Sequence, residues 1–322
     1  MPSRLYDRKG KEGDFVLTYI LSDINDRKST MNYPLSVSYV SSEDAPADSL
    51  TVVFAVNESI YPIVSIIVEN EGKRIFSGLV DSQTEQQTSE GVLLTITARS
   101  LECILLDNEA LPQTYCMPSM PLIFKRHLEV LGFKKYIGTD KAFNGEMIIS
   151  KGMSEWSVLE MFCRRFLKTV PKIDCFGVID VSGKENDEVV YISDSGKNRC
   201  ISKKRILNRS CLVSDILART CISGGYEMPL ENTFAQQLGV KRRRYVNSID
   251  SESRSVLDTK KILENSVRNY EQFVLKYSGC ILCGTGATVV LQDSGRKLRV
   301  KEIHYNLNSN GETTTIYAEA KN

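Results

Sequence analysis

Two histidines and one tryptophan stand in a chain of 322 residues, and that scarcity excludes much chemistry at once. An acyl-transfer triad needs a base beside its nucleophile. His127 falls in a charged helical segment, expected at its surface, and His304 alternates within a strand, so both read as structural. No Gly-x-Ser-x-Gly elbow and no P-loop occurs. "GTGATV" from Gly284 holds two glycines before a strand, without the helix or third glycine of a dinucleotide fingerprint, and reads as a turn. Charge of either sign is equally lacking in excess: 41 basic residues balance 40 acidic ones, where a dedicated nucleic-acid binder would be strongly basic. No run of 18 apolar residues exists to span a bilayer. The polar opening "MPSRLYDRKGKEGD" has no apolar segment, which predicts no secretory signal and a chain made in the cytoplasm.

The nine cysteines are scattered and odd in number, so they form no closed disulfide framework. Only Cys280 and Cys283, in "CILC", have metal-ligand spacing. A structural zinc site needs four ligands, and no second pair supplies them, so the expectation is two buried thiols at the start of a strand. No metal, no cofactor and no catalytic residue is expected. Pairs of carboxylates abound, but a glycosidase needs two in one cleft, which keeps a peptidoglycan hydrolase as an alternative. A glycan-binding module is the other. It would expose an aromatic platform, and Trp156 falls on an apolar helix stripe, where it reads as core.

What the chain has in quantity is alternation. "DFVLTYIL", "PLSVSYVS", "SLTVVFAV", "VSIIVEN", "RIFSGLV" and "GVLLTITARS" are six strand signals between residues 14 and 107. Asn70-Glu71-Gly72 reads as a hairpin turn, and Ser77-Gly78 as a bulge or bend. Beyond residue 108 the period changes. "SMPLIFKRHLEVLGF" is helical and stops at Gly132; "EMIIS" is a short strand. "KGMSEWSVLEMFCRRFLKTVP" is a helix capped by Ser154, with Trp156, Leu159, Phe162, Cys163 and Phe166 on one face and Pro171 ending it. "IDCFGVIDV" and "VVYIS" are expected to form a hairpin. Strands then return in "KKRILNRS", "LVSDILART", a Gly224-Gly225 turn and "GVKRRRYVN", followed by a helix within about residues 250–272.

The end repeats the beginning. "IIVENEGKRIF" from Ile66 matches "VVLQDSGRKLR" from Val289, 223 residues on, and "GVLLTITARS" from Gly91 matches "GETTTIYAEA" from Gly311, 220 residues on. The difference predicts a second loop three residues shorter in the later copy. The fold class is therefore mainly β with an α+β insert: two similar small antiparallel β-barrels plus an inserted domain. The expected divisions are residues 1–108, 109–200 and 201–322. Two similar domains per chain suit a closed ring, in which three chains would present six equivalent faces.

Several segments carry a family resemblance in their order along the chain. "SLTVVF", "GKRIFSGLVDSQ", "LTITARSLECILLDNEA", "KGMSEWSVLEMFCRRFLKTVP", "LGVKRRRYV" and "VKEIHYNLNSNGETTTIYAEA" resemble the baseplate hub proteins of contractile phage tails and phage-tail-like bacteriocins. The resemblance is to the late-control D and Mu-type hub class, in the shorter form of Gram-positive prophages. It covers nearly the whole chain and implies tube-like barrels with an inserted domain in a homotrimer of pseudo-six-fold symmetry. Such a trimer joins the hexameric tail tube protein to the trimeric spike protein beside other baseplate proteins, with no catalytic residues and no membrane. It would work in the baseplate of a virion or tail-like particle. A tape-measure protein or DNA would pass through its lumen. The basic run Lys241-Arg242-Arg243-Arg244 reads first as a solvated strand edge or a protein contact, and is the candidate lining if that lumen is basic.

Overall fold

The computed structural model describes residues 17–57, 60–89, 91–194, 198–219, 225–247, 256–281 and 283–321. The polar start of the chain, Cys221 and Gly224 lie outside them. Seven strands build the first part: β1 (Leu17–Asp23), β2 (Lys28–Met31), β3 (Ser36–Ser42), β4 (Ser49–Val56), β5 (Ile63–Asn70), β6 (Lys73–Thr88) and β7 (Gly91–Ser100). Strand β2, "KSTM", has no apolar alternation to announce it and pairs only along the outer edge of β1. The order is β3-β4-β7-β6-β5-β1-β2. Alternate residues point inward, so Val52, Phe54, Ile66, Leu94 and Ile96 are buried together with Tyr19. The β5–β6 hairpin turns through Glu71 and Gly72, both at positive φ (50° and 76°), as a two-residue type I′ turn requires.

The chain then forms a mixed unit from α1 (Cys103–Asp107), β8 (Gln113–Tyr115), α2 (Met120–Ile123), β9 (Lys135–Ile137), β10 (Met147–Ile149), α3 (Glu155–Phe162), β11 (Lys172–Ile173) and β12 (Val178–Asp180). Ser154 caps α3 by accepting from the Ser157 amide at 3.2 Å, and Trp156, Leu159, Phe162 and Cys163 enter the unit's core. Both main helices continue through π turns, at Phe124–Leu128 and Cys163–Leu167. Gly132 at φ 95° and Lys168 at φ 58° then end them. The hairpin expected after α3 does not form. Strand β12 pairs antiparallel with β11 and parallel with β9, and "VVYI" becomes β13 (Val189–Ile192), which leaves for the second half of the protein.

There, β14 (Cys200–Leu207) is followed by a small sheet of β15 (Asp215–Arg219), β16 (Met228–Glu231) and β17 (Arg243–Asn247), with α4 (Thr233–Gln237) between the last two. Helix α5 (Val256–Arg268) sets Ile262 and Leu263 against Val213, Ile216 and Val246. Strands β18 (Glu271–Ser278), β19 (Thr288–Leu291), β20 (Arg296–Asn308) and β21 (Gly311–Ala320) complete the chain. The order is β14-β18-β21-β20-β19-β13, around a core of Leu275, Tyr277, Leu298, Ile303 and Ile316. β20 also pairs with β3. The two halves are thus one continuous thirteen-stranded sheet with two cores, a fusion that the sequence pattern does not show.

Candidate assembly surface

The halves match strand for strand. β4-β7-β6-β5 corresponds to β18-β21-β20-β19, and β3 beside β4 corresponds to β14 beside β18. The registers agree residue for residue. Val80 pairs with Ala98 and Ser82 with Thr97, leaving Asp81 bulged; Val300 pairs with Ala318 and Glu302 with Tyr317, leaving Lys301 bulged, each residue 220 positions on. A β-bulge at one place in both copies fixes where each long strand bends. Two expectations need correction here. Strand β6 bulges at Asp81 against β7 and at Ile75 against β5, on either side of Ser77-Gly78 and not at it. Gly78 serves a close approach instead, since a Cβ there would stand 2.4 Å from the Arg99 carbonyl oxygen and 2.7 Å from the Phe76 ring. The second loops are equal in length. The three missing residues fall within the strand, between the first turn and the bulge, where Lys73–Val80 corresponds to Arg296–Val300.

At the junction, β3 runs antiparallel to the far part of β20, pairing Val37 with Leu307, Tyr39 with Tyr305 and Ser41 with Ile303. Tyr305 reaches into the first half's core beside Cys280, and its hydroxyl donates to Glu312 at 2.6 Å. Burial and that carboxylate hold the phenol protonated well above its ordinary range. Arg299 adds a fork across the halves, binding Glu43 and, at 3.4 Å, Glu319. The backbone joins too, as the Glu43 amide donates to the Lys301 carbonyl at 3.0 Å. Burial, hydrogen bonds and charge all bind the same seam.

Away from the cores the sheet presents a second face. Because side chains alternate, Ser38, Thr51, Thr95, Thr97 and Thr84 share it, and the hydroxyls of Thr51 and Thr97 lie 3.4 Å apart. Besides the outer edges of β2 and β13, two stretches of the sheet have no strand neighbour among the described residues. One is the outer edge of β14. The other begins where β5 stops pairing with β6, at Leu79, and continues along Ser82–Thr88. Gln83 and Glu85 there accept from the amides of Ile63 (2.8 Å) and Ile60 (3.1 Å).

The halves differ in how they use equivalent positions. In the first, the Tyr39 hydroxyl donates to Asp48 at 2.7 Å, the Asp48 amide donates to Ser100, and the Ser100 hydroxyl donates to Glu102 at 2.6 Å. Burial raises Asp48 above the ordinary carboxylate range and pushes Glu102 up to about 7, against the opposing effect of Ser100. In the second half the positions of Tyr39 and Asp48 are Arg205 and Glu271, which form an ion pair at 2.5 Å. Arg99 grips Asp81 and Asp107, each at 2.7 Å, and these hydrogen bonds keep its guanidinium charged and Asp107 below its usual range. The counterparts of Arg99 and Asp81 are Glu319 and Lys301, with the signs exchanged.

The residues singled out by sequence do not converge. His127 is buried, not on a helix surface: its Nε2 lies 2.8 Å from the Tyr115 hydroxyl and its Nδ1 2.6 Å from Glu155. The π turn shifts the helix phase and carries it inward with Phe124 and Leu128. His304 sits in β20, beside Glu302 at 2.5 Å and against the Tyr317 ring. Cys280 and Cys283 do not start a strand; they lie in the loop between β18 and β19. Cys280 packs into the first core and Cys283 against the second, and burial pushes both thiols up to about 12. Trp156 is core, with 7% exposure, so no platform for a glycan is built on it. In the basic run, the Arg242 guanidinium donates to the carbonyls of Leu212 (2.8 Å), Arg209 and Ser210. Arg243 and Arg244 begin β17, an edge strand of the small sheet, as the plainer reading of the run expects.

No protein-family model matches this chain, and no curated protein matches it either. Solved structures do. The tail protein from Neisseria meningitidis MC58 is 14% identical, with a TM-score of 0.73 over 96% of this chain and 97% of that one. The fold is that of phage tail proteins. The 43 kDa tail protein of prophage MuSo2 from Shewanella oneidensis agrees as well, at 13% identity and a TM-score of 0.73 over 94% of this chain and 98% of that one. The c3393 protein of E. coli, a component of the type VI secretion system similar to the T4 bacteriophage tail proteins gp27 and gp5, is 7% identical, with a TM-score of 0.57 over 90% and 74% of the two chains.

Proposed function

We propose that this chain is the structural hub of the baseplate in a contractile tail or injection machine. Three copies form a ring of pseudo-six-fold symmetry that joins a hexameric tail tube to a trimeric spike. The observation carrying this reading is the repeat itself: one sheet bears two units with the same strand order, register and bulge position. Three chains then supply six near-equivalent units and still keep three-fold differences, which is what a connector between six-fold and three-fold partners needs. The tail-protein neighbours support it, as does the secretion-system component with its likeness to tail proteins.

The protein works through interfaces and not through catalysis. The Ser/Thr-rich face of its first half lines the lumen, where a tape-measure protein or DNA slides past. Arg243 and Arg244 face an acidic neighbour in the baseplate. The working divisions are residues 1–108, 109–200 and 201–322, with β13 crossing the second boundary to serve the second unit. Among the described residues, no helix is long and apolar enough to cross a membrane. The assembly forms in the bacterial cytoplasm and takes its place in the tail baseplate. Light scattering on the purified protein tests the trimer, with an expected molar mass of three times 36.2 kDa. A chain that remains at one times that mass, alone and with tube and spike proteins added, contradicts it.

A further inference from the structure

The junction inside the chain specifies a second junction between chains. Resting on the hub reading above, we infer that the open edge of β14 pairs, antiparallel, with residues 82–88 of β6 in a second copy of this chain. Within one chain, the partner of β3 along this seam is the far part of β20, residues 302–307. The strand equivalent to β3 is β14, and the stretch equivalent to the far part of β20 is Ser82–Thr88. Both of these edges are without a strand neighbour among the described residues. They lie at the two ends of the repeated pattern, so a neighbour's β6 fits β14 as β20 fits β3. The two edges are complementary to each other and not to themselves, so the contact repeats head to tail, and it closes into the ring of the hub reading where three steps complete a turn.

The registers carry over residue by residue. Ser38 pairs with Asn306 inside the chain, so Lys204 stands opposite Gln86 of the neighbour. Tyr39 pairs with Tyr305, so Arg205 stands opposite Glu85. The chemistry agrees with the geometry. β14 offers Lys203, Lys204 and Arg205 in succession, and the facing stretch "SQTEQQT" carries a carboxylate and no cation. Glu85 already accepts from the Ile60 amide and from Gln83 (3.1 Å each), and Arg205 already holds Glu271. The new contact therefore brings prepared charges together rather than ordering loose ones. Opposite charges directly across two strands favour this register over its slips. The lysines also keep β14 from pairing with another β14, an edge-to-edge contact that would stop the ring at a dimer.

Cysteine cross-linking tests the inference separately from the trimer. Residues directly opposite in an antiparallel pair have Cα atoms about 4.5–5.5 Å apart, within disulfide range. The variant carrying Lys204→Cys and Gln86→Cys, oxidised with copper phenanthroline, closes into covalent trimers that a reductant dissolves. Either substitution alone gives no more than the background of the native cysteines. The variant with Lys204→Cys and Ser82→Cys, four residues out of register and more than ~10 Å apart, cross-links at no more than roughly a tenth of that yield. Trimeric particles by light scattering that cross-link at 204–82 but not at 204–86 overturn this register and leave the hub reading intact. Trimers that cross-link at neither pair overturn the edge pairing itself. A chain that is monomeric and uncross-linked overturns both.

Discussion

The first and second halves of this sheet share one wiring and handle the same position in opposite ways. Where the first half places Tyr39, Asp48, Ser100 and Glu102 in a sheltered chain of hydrogen bonds, the second places Arg205 and Glu271 in an ion pair reinforced by Arg296 at 2.8 Å. The difference follows from what lies beside each strand. β3 is covered by β20, so a neutral hydroxyl and a protonatable carboxyl suit it. β14 has no such cover within its own chain, so its charges keep their water and guard the edge until a neighbouring chain pairs with it. A similar exchange occurs at the bulge, where Asp81 and Arg99 become Lys301 and Glu319. Duplication has preserved backbone geometry and spent its freedom on charge.

The largest expected effect is one that should be the same in both halves. Ile96 and Ile316 occupy equivalent, fully buried places on β7 and β21. Ile96→Ala and Ile316→Ala should each cost about 2–5 kcal/mol in denaturant unfolding; a near-neutral result for either would break the equivalence. Next comes an intended asymmetry. The counterpart of Gly78 is Leu298, wholly buried, and in the first half the Phe76 ring takes that space. Gly78→Ala should therefore cost about 1–3 kcal/mol by overpacking, measured as a drop in denaturation midpoint.

The pH dependence should also belong to the first half. Below pH 4.5, the ordinary value for this carboxyl, Glu102 carries its proton whether folded or unfolded; up to about 7 only the folded state holds it. Stability from this group is therefore complete in acid and falls as pH rises through that window. Glu102→Gln should remove the fall, leaving the variant about 1–3 kcal/mol more stable than the parent at pH 8, as thermal unfolding across pH 4–8 would show. The smallest effect is expected at the ion pair between β14 and β18 of the second half. Glu271→Gln should cost no more than about 1 kcal/mol, less in high salt, since Arg205 stands well exposed.

The repeat was readable because turns and bulges leave marks: Gly72 and Gly295, Gly91 and Gly311 punctuate both meanders at the same points. The helix of Ser154 to Leu167 was readable for the same reason, a cap and a periodic face. What periodicity could not supply was partnership. "VVYI" has the pattern of a strand, and nothing in it says that its neighbour is "TVVL", 99 residues on, instead of the segment just before it. The β3–β20 seam is hidden in the same way, since alternation marks a face and not an edge. His127 was misplaced because a π turn breaks the 3.6-residue count on which the surface assignment rested. The assembly edges carry the weakest signal of all: polar, exposed strands that single-chain patterning would assign to solvent.

The central claim is that three chains of two units make a ring of six. Negative-stain class averages of the purified particle test it most directly. Six lobes around a central hole, alternating in appearance with three-fold symmetry, are expected; a compact particle with one pair of lobes and no hole, unchanged when tube and spike proteins are present, rules the ring out.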